Sequence, residues 1–384
     1  MKPSPFADSI QPSGIREIFD LAWGKPDMLH LEVGEPDFPT PLHIVEAAFA
    51  AARMHSGYTG TVGLPIVRDA VVERLKRVHR IDVPVEQVLI TSGAAQAIAA
   101  IVYAMCSEGD EVLVPDPGWP NCEMAIVSRG AIPVRYALPA SNGFVPDPDE
   151  VASLITSRTK LLVVCSPSNP TGTVIPPDVI EALVTLAREH DVLVLSDEVY
   201  DEIVFDGREP RTTIQFSDDD VAAVWSCSKT YAMTGWRVGY TVVPTWLVRP
   251  LIAIQEGSVT CVAEPCQAAA VEALTGPQHA VAEMRDAYEH RRNVLLGKLS
   301  EAGIKCVVPS GAFYLMLPLD PKANARSAAL SLVERGVAVA PGTAFGDVAR
   351  DALRISLAAS EETIAAAVER IVAWYAETDG GLRA

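Results

Sequence analysis

The sequence predicts an α/β protein: a three-layer sandwich around a mainly parallel seven-stranded sheet, with a smaller α+β domain beside it. Three observations carry this. Between about residues 87 and 243, short β-branched runs alternate with Ala-, Leu- and Glu-rich stretches of helical period, the pattern of strands joined through crossover helices. Several of these runs, such as 161-LLVVC-165, are apolar throughout their middles. Strands of that kind are buried on both faces, so helices must cover both sides of the sheet. The chain of 384 residues also exceeds what one simple core needs, and its texture changes after a helical stretch at 281–302, which predicts a second domain.

Taken in order, the residues before about 40 are rich in Pro and Gly, with one short helical run at 15–23, and are expected to wrap onto another element. Strands are predicted at 87–93, 110–116, 131–138, 160–167, 191–198, 222–229 and 236–243. Ligands in such sheets sit beyond the carboxyl ends of the strands. Polar residues gather at those ends: Ser92-Gly93, Asp116-Pro117, Ser166 to Asn169, Asp197-Glu198 and Ser226 to Lys229. The later segments 304–319, 336–342 and 353–359, closed by a helix at 361–377, form the smaller α+β part. The expected division is a large domain over 40–281 and a small domain built from both chain ends, 1–39 and 282–384.

Composition narrows the function classes. Hydrophobic residues make up 49% and charged residues 21%, with a mean hydropathy of +0.20, and no apolar run approaches the roughly 20 residues that span a bilayer. The 31 basic and 49 acidic residues leave a net charge of −18, which disfavours nucleic acid and anionic lipid as partners. The first 23 residues show no apolar signal-peptide core, so a cytoplasmic location is expected. Seven cysteines are scattered without a CxxC pair or His-rich spacing; free thiols are expected, and no metal site.

The chemistry is concentrated in a few motifs. In 226-SCSKTYAMTGWRVGY-240, Lys229 ends an apolar strand, while Ser226, Ser228 and Arg237 supply hydroxyls and a guanidinium suited to a phosphate dianion. A lysine beside an anion site suits a Schiff base to a phosphorylated aldehyde cofactor. At 92-SGAAQAIAAIVYAM-105, Gly93 leads into a helix whose free N–H groups face the same edge and attract phosphate. Asp197, after the buried VLVL, needs a partner such as a protonated pyridine nitrogen, or else caps the next helix. Asn169 in 165-CSPSNPTGTV-174 presents its amide at that edge, unless the segment is simply a turn. Arg354, in a short strand and expected to be half-buried, wants an anion, either a substrate carboxylate or a structural Asp or Glu.

With these motifs assembled, the chain resembles a class I/II aminotransferase of the fold-type-I pyridoxal-phosphate family. The resemblance runs from 32-EVGEPDFPTP-41 and 58-YTGTVGLPIVRDAV-71 through DPGWPN, SPSNPTG, SDEVYDEI and SKTYAMTGWRVGY to GAFY and LRISLA. It implies pyridoxal 5′-phosphate as cofactor, amino-acid and 2-oxo-acid substrates, and amino transfer through an aldimine on Lys229 and a pyridoxamine form. Lys229 is implied as the proton-transferring base, Asp197 as partner of the pyridine nitrogen, and Tyr200 and Asn169 as partners of the phenolic oxygen. Trp119 is implied as a stacking residue. The phosphate contacts implied are Ala94, Ala95, Ser226, Ser228, Arg237 and Tyr58 of a neighbouring subunit; Arg354, Asn169 and Gly34 would hold the substrate carboxylate. A borrowed tyrosine implies a homodimer with shared sites, and the small domain would close on substrate.

Substrate choice is where this chain departs from part of the family. Some relatives that prefer aspartate carry a lysine at the position matching Ala95, so a neutral donor (alanine, aromatic or branched-chain) is expected here, unless Arg16 or another cation substitutes. Two rivals stand beside transamination. A carbon–sulfur β-lyase or other eliminating enzyme would share the fold and differ in the pocket. A ligand-sensing regulator would need a DNA-binding module, for which the charge is wrong and the first 30 residues leave no room.

Overall fold

The continuous apolar runs of the strands have a direct structural outcome in the computed structural model, which describes residues 4–383 apart from 11 and 56. All seven predicted strands form: β1 (Val88–Thr91), β2 (Glu111–Asp116), β3 (Ile132–Ala137), β4 (Thr159–Cys165), β5 (Leu193–Asp197), β6 (Val221–Ser226) and β7 (Gly239–Val242). They make one sheet of order β1-β7-β6-β5-β4-β2-β3. Five strands run parallel, from β6 to β3, while β7 is antiparallel to both its neighbours.

Successive residues of a strand point to opposite faces, and here each face has its own core. Leu161, Val163, Leu193 and Leu195 join one cluster, with Ala97, Ile98 and Ile101 of the helix Ala94–Met105. Leu162, Val164 and Val194 join the other, with Val67, Val71 and Leu75 of the helix Pro65–His79. That two-sided burial is the reason the strand sequences are apolar without interruption, and it produces the three layers.

A smaller three-stranded sheet, β8 (Tyr314–Pro318), β9 (Ala340–Pro341) and β10 (Ala352–Ser356), is antiparallel with β10 in the centre. The two ends of the chain meet beside it: Leu29–His30 pairs with Val337–Ala338, and Arg326 bonds Glu17. The helix leading into this region runs unbroken over His279–Glu301, so the expected division at 281/282 falls in its first turn. Among the described residues, no helix is long and apolar enough to cross a membrane.

Local boundaries differ from expectation in two places. The strand expected to reach 229 ends at Ser226, because the Ser226 hydroxyl accepts from the Ser228 N–H at 3.1 Å and starts a helical turn, Cys227–Thr230. Lys229 therefore projects from a helical turn. The N-terminal segment holds two helices instead of one, Pro5–Ser9 and Gly14–Ala22; proline at the first position preorganises the additional one. All seven cysteines are free thiols.

Candidate active site

Beyond the carboxyl ends of β2, β4, β5 and β6 lies a cavity of about 230 Å³, lined by residues at or just after those strand ends, Trp119, Asn169, Asp197 and Ser226 among them. Its lining includes Gly34, Ala94, Ala95, Trp119, Asn169, Asp197, Tyr200, Ser226, Ser228, Lys229, Arg237 and Arg354. These twelve residues come from distant parts of the sequence, and the sheet brings them to one place.

One end of the cavity is built for an anion. The helix Ala94–Met105 starts there with unpaired N–H groups, and Gly93 at its cap has φ +77°, a left-handed conformation costly to other residues. A Cβ on Gly93 would come within 2.5 Å of Arg237 Nη2, so the glycine lets the guanidinium approach the helix end. The Ser226 and Ser228 hydroxyls lie 2.9 Å apart on the same side, and Arg237 donates to the Thr234 carbonyl at 3.0 Å. Gly93 itself supports this end from behind and does not line the cavity.

At the floor, Asp197 is buried, and among the described residues its carboxylate has one hydrogen bond, from the Val199 N–H at 3.3 Å. Burial pushes its carboxyl up to about 7; the Val199 N–H and nearby Lys229 offset part of this, and Glu198 adds to it. Burial lowers the Lys229 amine to about 8, with Arg354 and Arg237 contributing. Its Nζ donates to the Gly34 carbonyl at 2.7 Å.

At the other end Arg354 is fully buried, 2% exposed, where half-burial was expected. The difference arises because β10 is the central strand of its sheet and the guanidinium lies between the rings of Tyr314 at 4.4 Å and Phe345 at 4.7 Å. It donates to Asn169 Oδ1 at 3.0 Å and to the Glu32 carbonyl, and its Nε has no partner among the described residues. A buried cation with an unused donor is suited to an incoming carboxylate.

Sequence reasoning missed several lining residues: Ile15, Val33, Val199, Thr234 and Tyr314. Tyr314 is the most consequential, its hydroxyl 2.8 Å from that of Tyr200. The signal was present in GAFY, but only the fold turns β8 toward the cavity. Tyr58, expected from a neighbouring subunit, is 89% exposed and does not line this chain's cavity. Asp116 turns aside to accept from the Asp347 and Val348 N–H groups, both at 3.0 Å.

The sequence matches the family Aminotransferase class I and II over residues 26–371. This chain is a class I/II aminotransferase. Its similarity to an aspartate/prephenate aminotransferase of Thermus thermophilus is 40% identity over 90% of both chains. To the aromatic-amino-acid aminotransferase 2 of Thermococcus litoralis it is 35% identical, over 95% of this chain and 96% of the other. A solved alanine aminotransferase from Pyrococcus furiosus superposes with a TM-score of 0.92 at 30% identity, covering 98% of this chain and all of that one. Enzymes of this family use pyridoxal phosphate, and the aminotransferase is a pyridoxal-phosphate enzyme of fold type I.

Proposed function

We propose that the enzyme moves the amino group of a neutral L-amino acid, with an alanine, aromatic or branched side chain, to a 2-oxo acid. The observation that carries this is the charge of the cavity wall. Its cationic residues are Lys229, Arg237 and Arg354, and each has a use in the reaction common to all donors. Ile15 and Val33, from the N-terminal segment, add apolar surface to that wall. Ala95 offers no charge, and Arg16 points outward, paired with Asp20 at 3.0 Å. A second carboxylate would enter this space unpaired, which is costly. Aspartate remains the second reading, favoured by the names of several relatives.

The residues present fit the cofactor. The helix start with Ala94 and Ala95, and with Ser226, Ser228 and Arg237, makes a cradle for its phosphate that a Cβ on Gly93 would spoil. Asp197, buried without a cation in contact, fits its pyridine nitrogen. Trp119, in the cavity lining, would stack on the ring, and Tyr200 and Asn169 would bond its phenolic oxygen. Bound pyridoxal phosphate supplies an electron sink for negative charge at the substrate Cα. Lys229 binds the cofactor and, once released, takes and returns the Cα proton; an amine near 8 is poised for that. Arg354, with Asn169 and Gly34, orients the α-carboxylate. Tyr58 of the partner subunit completes the phosphate cradle in a homodimer, and residues 1–39 with 282–384 form the domain that closes to exclude water.

The test mixes the loaded enzyme with single L-amino acids, without acceptor, and measures stoichiometric 2-oxo acid together with bleaching of the cofactor. Neutral donors should react at least about 10-fold faster than aspartate, the scale of one uncompensated polar group. Aspartate reacting fastest would overturn the proposed specificity.

A further inference from the structure

Tyr314 carries no role in the reading above, yet it touches three groups that the reading uses. Its hydroxyl is 2.8 Å from the Tyr200 hydroxyl. Its ring faces the Arg354 guanidinium at 4.4 Å. The hydroxyl also fills the space beside Gly34, where an added Cβ would overlap it, and the Gly34 carbonyl accepts from Lys229. The ring is buried and held at the start of β8, opposite Ser356 in the strand that bears Arg354.

We propose that Tyr314 is a positioning residue that acts through Tyr200, donating to the Tyr200 oxygen and thereby strengthening the hydrogen bond that Tyr200 donates to the cofactor's phenolic oxygen. The proposal rests on the reading of Tyr200 as that oxygen's partner. The direction follows from proton count. Each phenol has one proton and can also accept. With no ligand, either tyrosine can donate to the other. Once the Tyr200 proton is engaged by the cofactor, Tyr200 is left only as an acceptor toward Tyr314. Among the described residues, the Tyr314 hydroxyl has no other hydrogen-bond partner, so its proton goes to Tyr200. Hydrogen bonds in such a chain polarise one another, most strongly away from water. The phenolic oxygen then holds its negative charge more firmly and retains less of the proton it shares with the Lys229 nitrogen. The same ring faces the Arg354 guanidinium at 4.4 Å, so one side chain contacts both the cofactor partner and the carboxylate site.

The test is a pH titration of the visible absorbance of the loaded enzyme, with Tyr314→Phe, Tyr200→Phe and the double variant. Tyr314→Phe keeps the ring and its packing and loses only the hydroxyl. Its chromophore pKa should rise by about half a unit to one unit, the size of one hydrogen bond. In the Tyr200→Phe background the same change should move nothing further. Affinity for an unreactive monocarboxylate such as 3-phenylpropionate should stay within about twofold in Tyr314→Phe and fall about 3- to 10-fold in Tyr314→Leu, which loses the stack on Arg354. If Tyr200→Phe raises the chromophore pKa while Tyr314→Phe leaves it in place, the proposal for Tyr314 is overturned and the reading of Tyr200 stands. If Tyr200→Phe also leaves it in place, the reading of Tyr200 fails, and the Tyr314 proposal with it.

Discussion

Two titrating groups govern the site at the scale of single residues. The Asp197 carboxyl is raised from 3.8 to about 7, chiefly by burial, so in the cofactor-free protein it keeps a proton that the unfolded chain releases. The stabilisation from that proton is fully present below about pH 4 and is lost as pH rises through about 7. Asn mimics the neutral form. Asp197→Asn should therefore match the cofactor-free wild type at about pH 4 and exceed its stability at about pH 8, by a few kcal/mol at most. Urea denaturation at both values measures this, and a gap that does not change with pH would contradict it. Lys229 is lowered from 10.5 to about 8, and only the neutral amine attacks an aldehyde. The rate of cofactor loading should rise about tenfold per pH unit up to that point and then level off, as followed by stopped-flow absorbance. A rate independent of pH between about 6 and 9 would show that another step limits loading.

At the element scale, the turn carrying Asp197 and Tyr200 is clamped from behind. Arg74 and His79, on the helix Pro65–His79, both bond Asp201, at 2.8 Å in each case, and Arg74 also reaches Glu202. Arg74 is buried, with two further nitrogens unpartnered among the described residues. Breaking a buried pair by removing one partner costs about 3–5 kcal/mol, because the other charge stays behind. Arg74→Met should lower stability by that amount in urea; a loss below about 1 kcal/mol would mean that solvent reaches the cluster. None of this was legible in the sequence. In 65-PIVRDAVVERLKRVH-79, Arg74 sits among other charges and reads as part of a solvated face. Its burial comes with its contacts to Asp201 and Glu202, more than 120 residues away in the chain. The strands were legible because burial on both faces leaves a continuous apolar run. The end of β6 was not, since a serine hydroxyl starts the next helical turn and a run of apolar residues does not report it.

For the whole molecule, the exposed apolar side chains of Leu42, Phe49, Met54, Tyr58 and Ile66 fall within one stretch of the chain, 42–66. Exposed large apolar groups of this kind are what an association surface buries. Under the proposed dimer, Phe49→Glu should give monomers on light scattering and also weaken cofactor binding by about 10-fold, since Tyr58 of the partner subunit would leave the phosphate cradle. That factor is the order of one charge-assisted hydrogen bond. A monomeric variant that binds the cofactor as tightly as the wild type would rule out the shared site.

By itself the sequence determined the layers, the order of the strands along the chain and the polar termini that meet at the cavity. Those properties follow from which residues avoid water and which close a strand, and both are local. Tertiary structure alone decided that Arg354 is fully buried between two rings, that Asp116 turns away from the cavity, and that Tyr314 meets Tyr200. These contacts join residues far apart in the chain, and their geometry depends on how sheets and helices pack, which no spacing of residue types encodes.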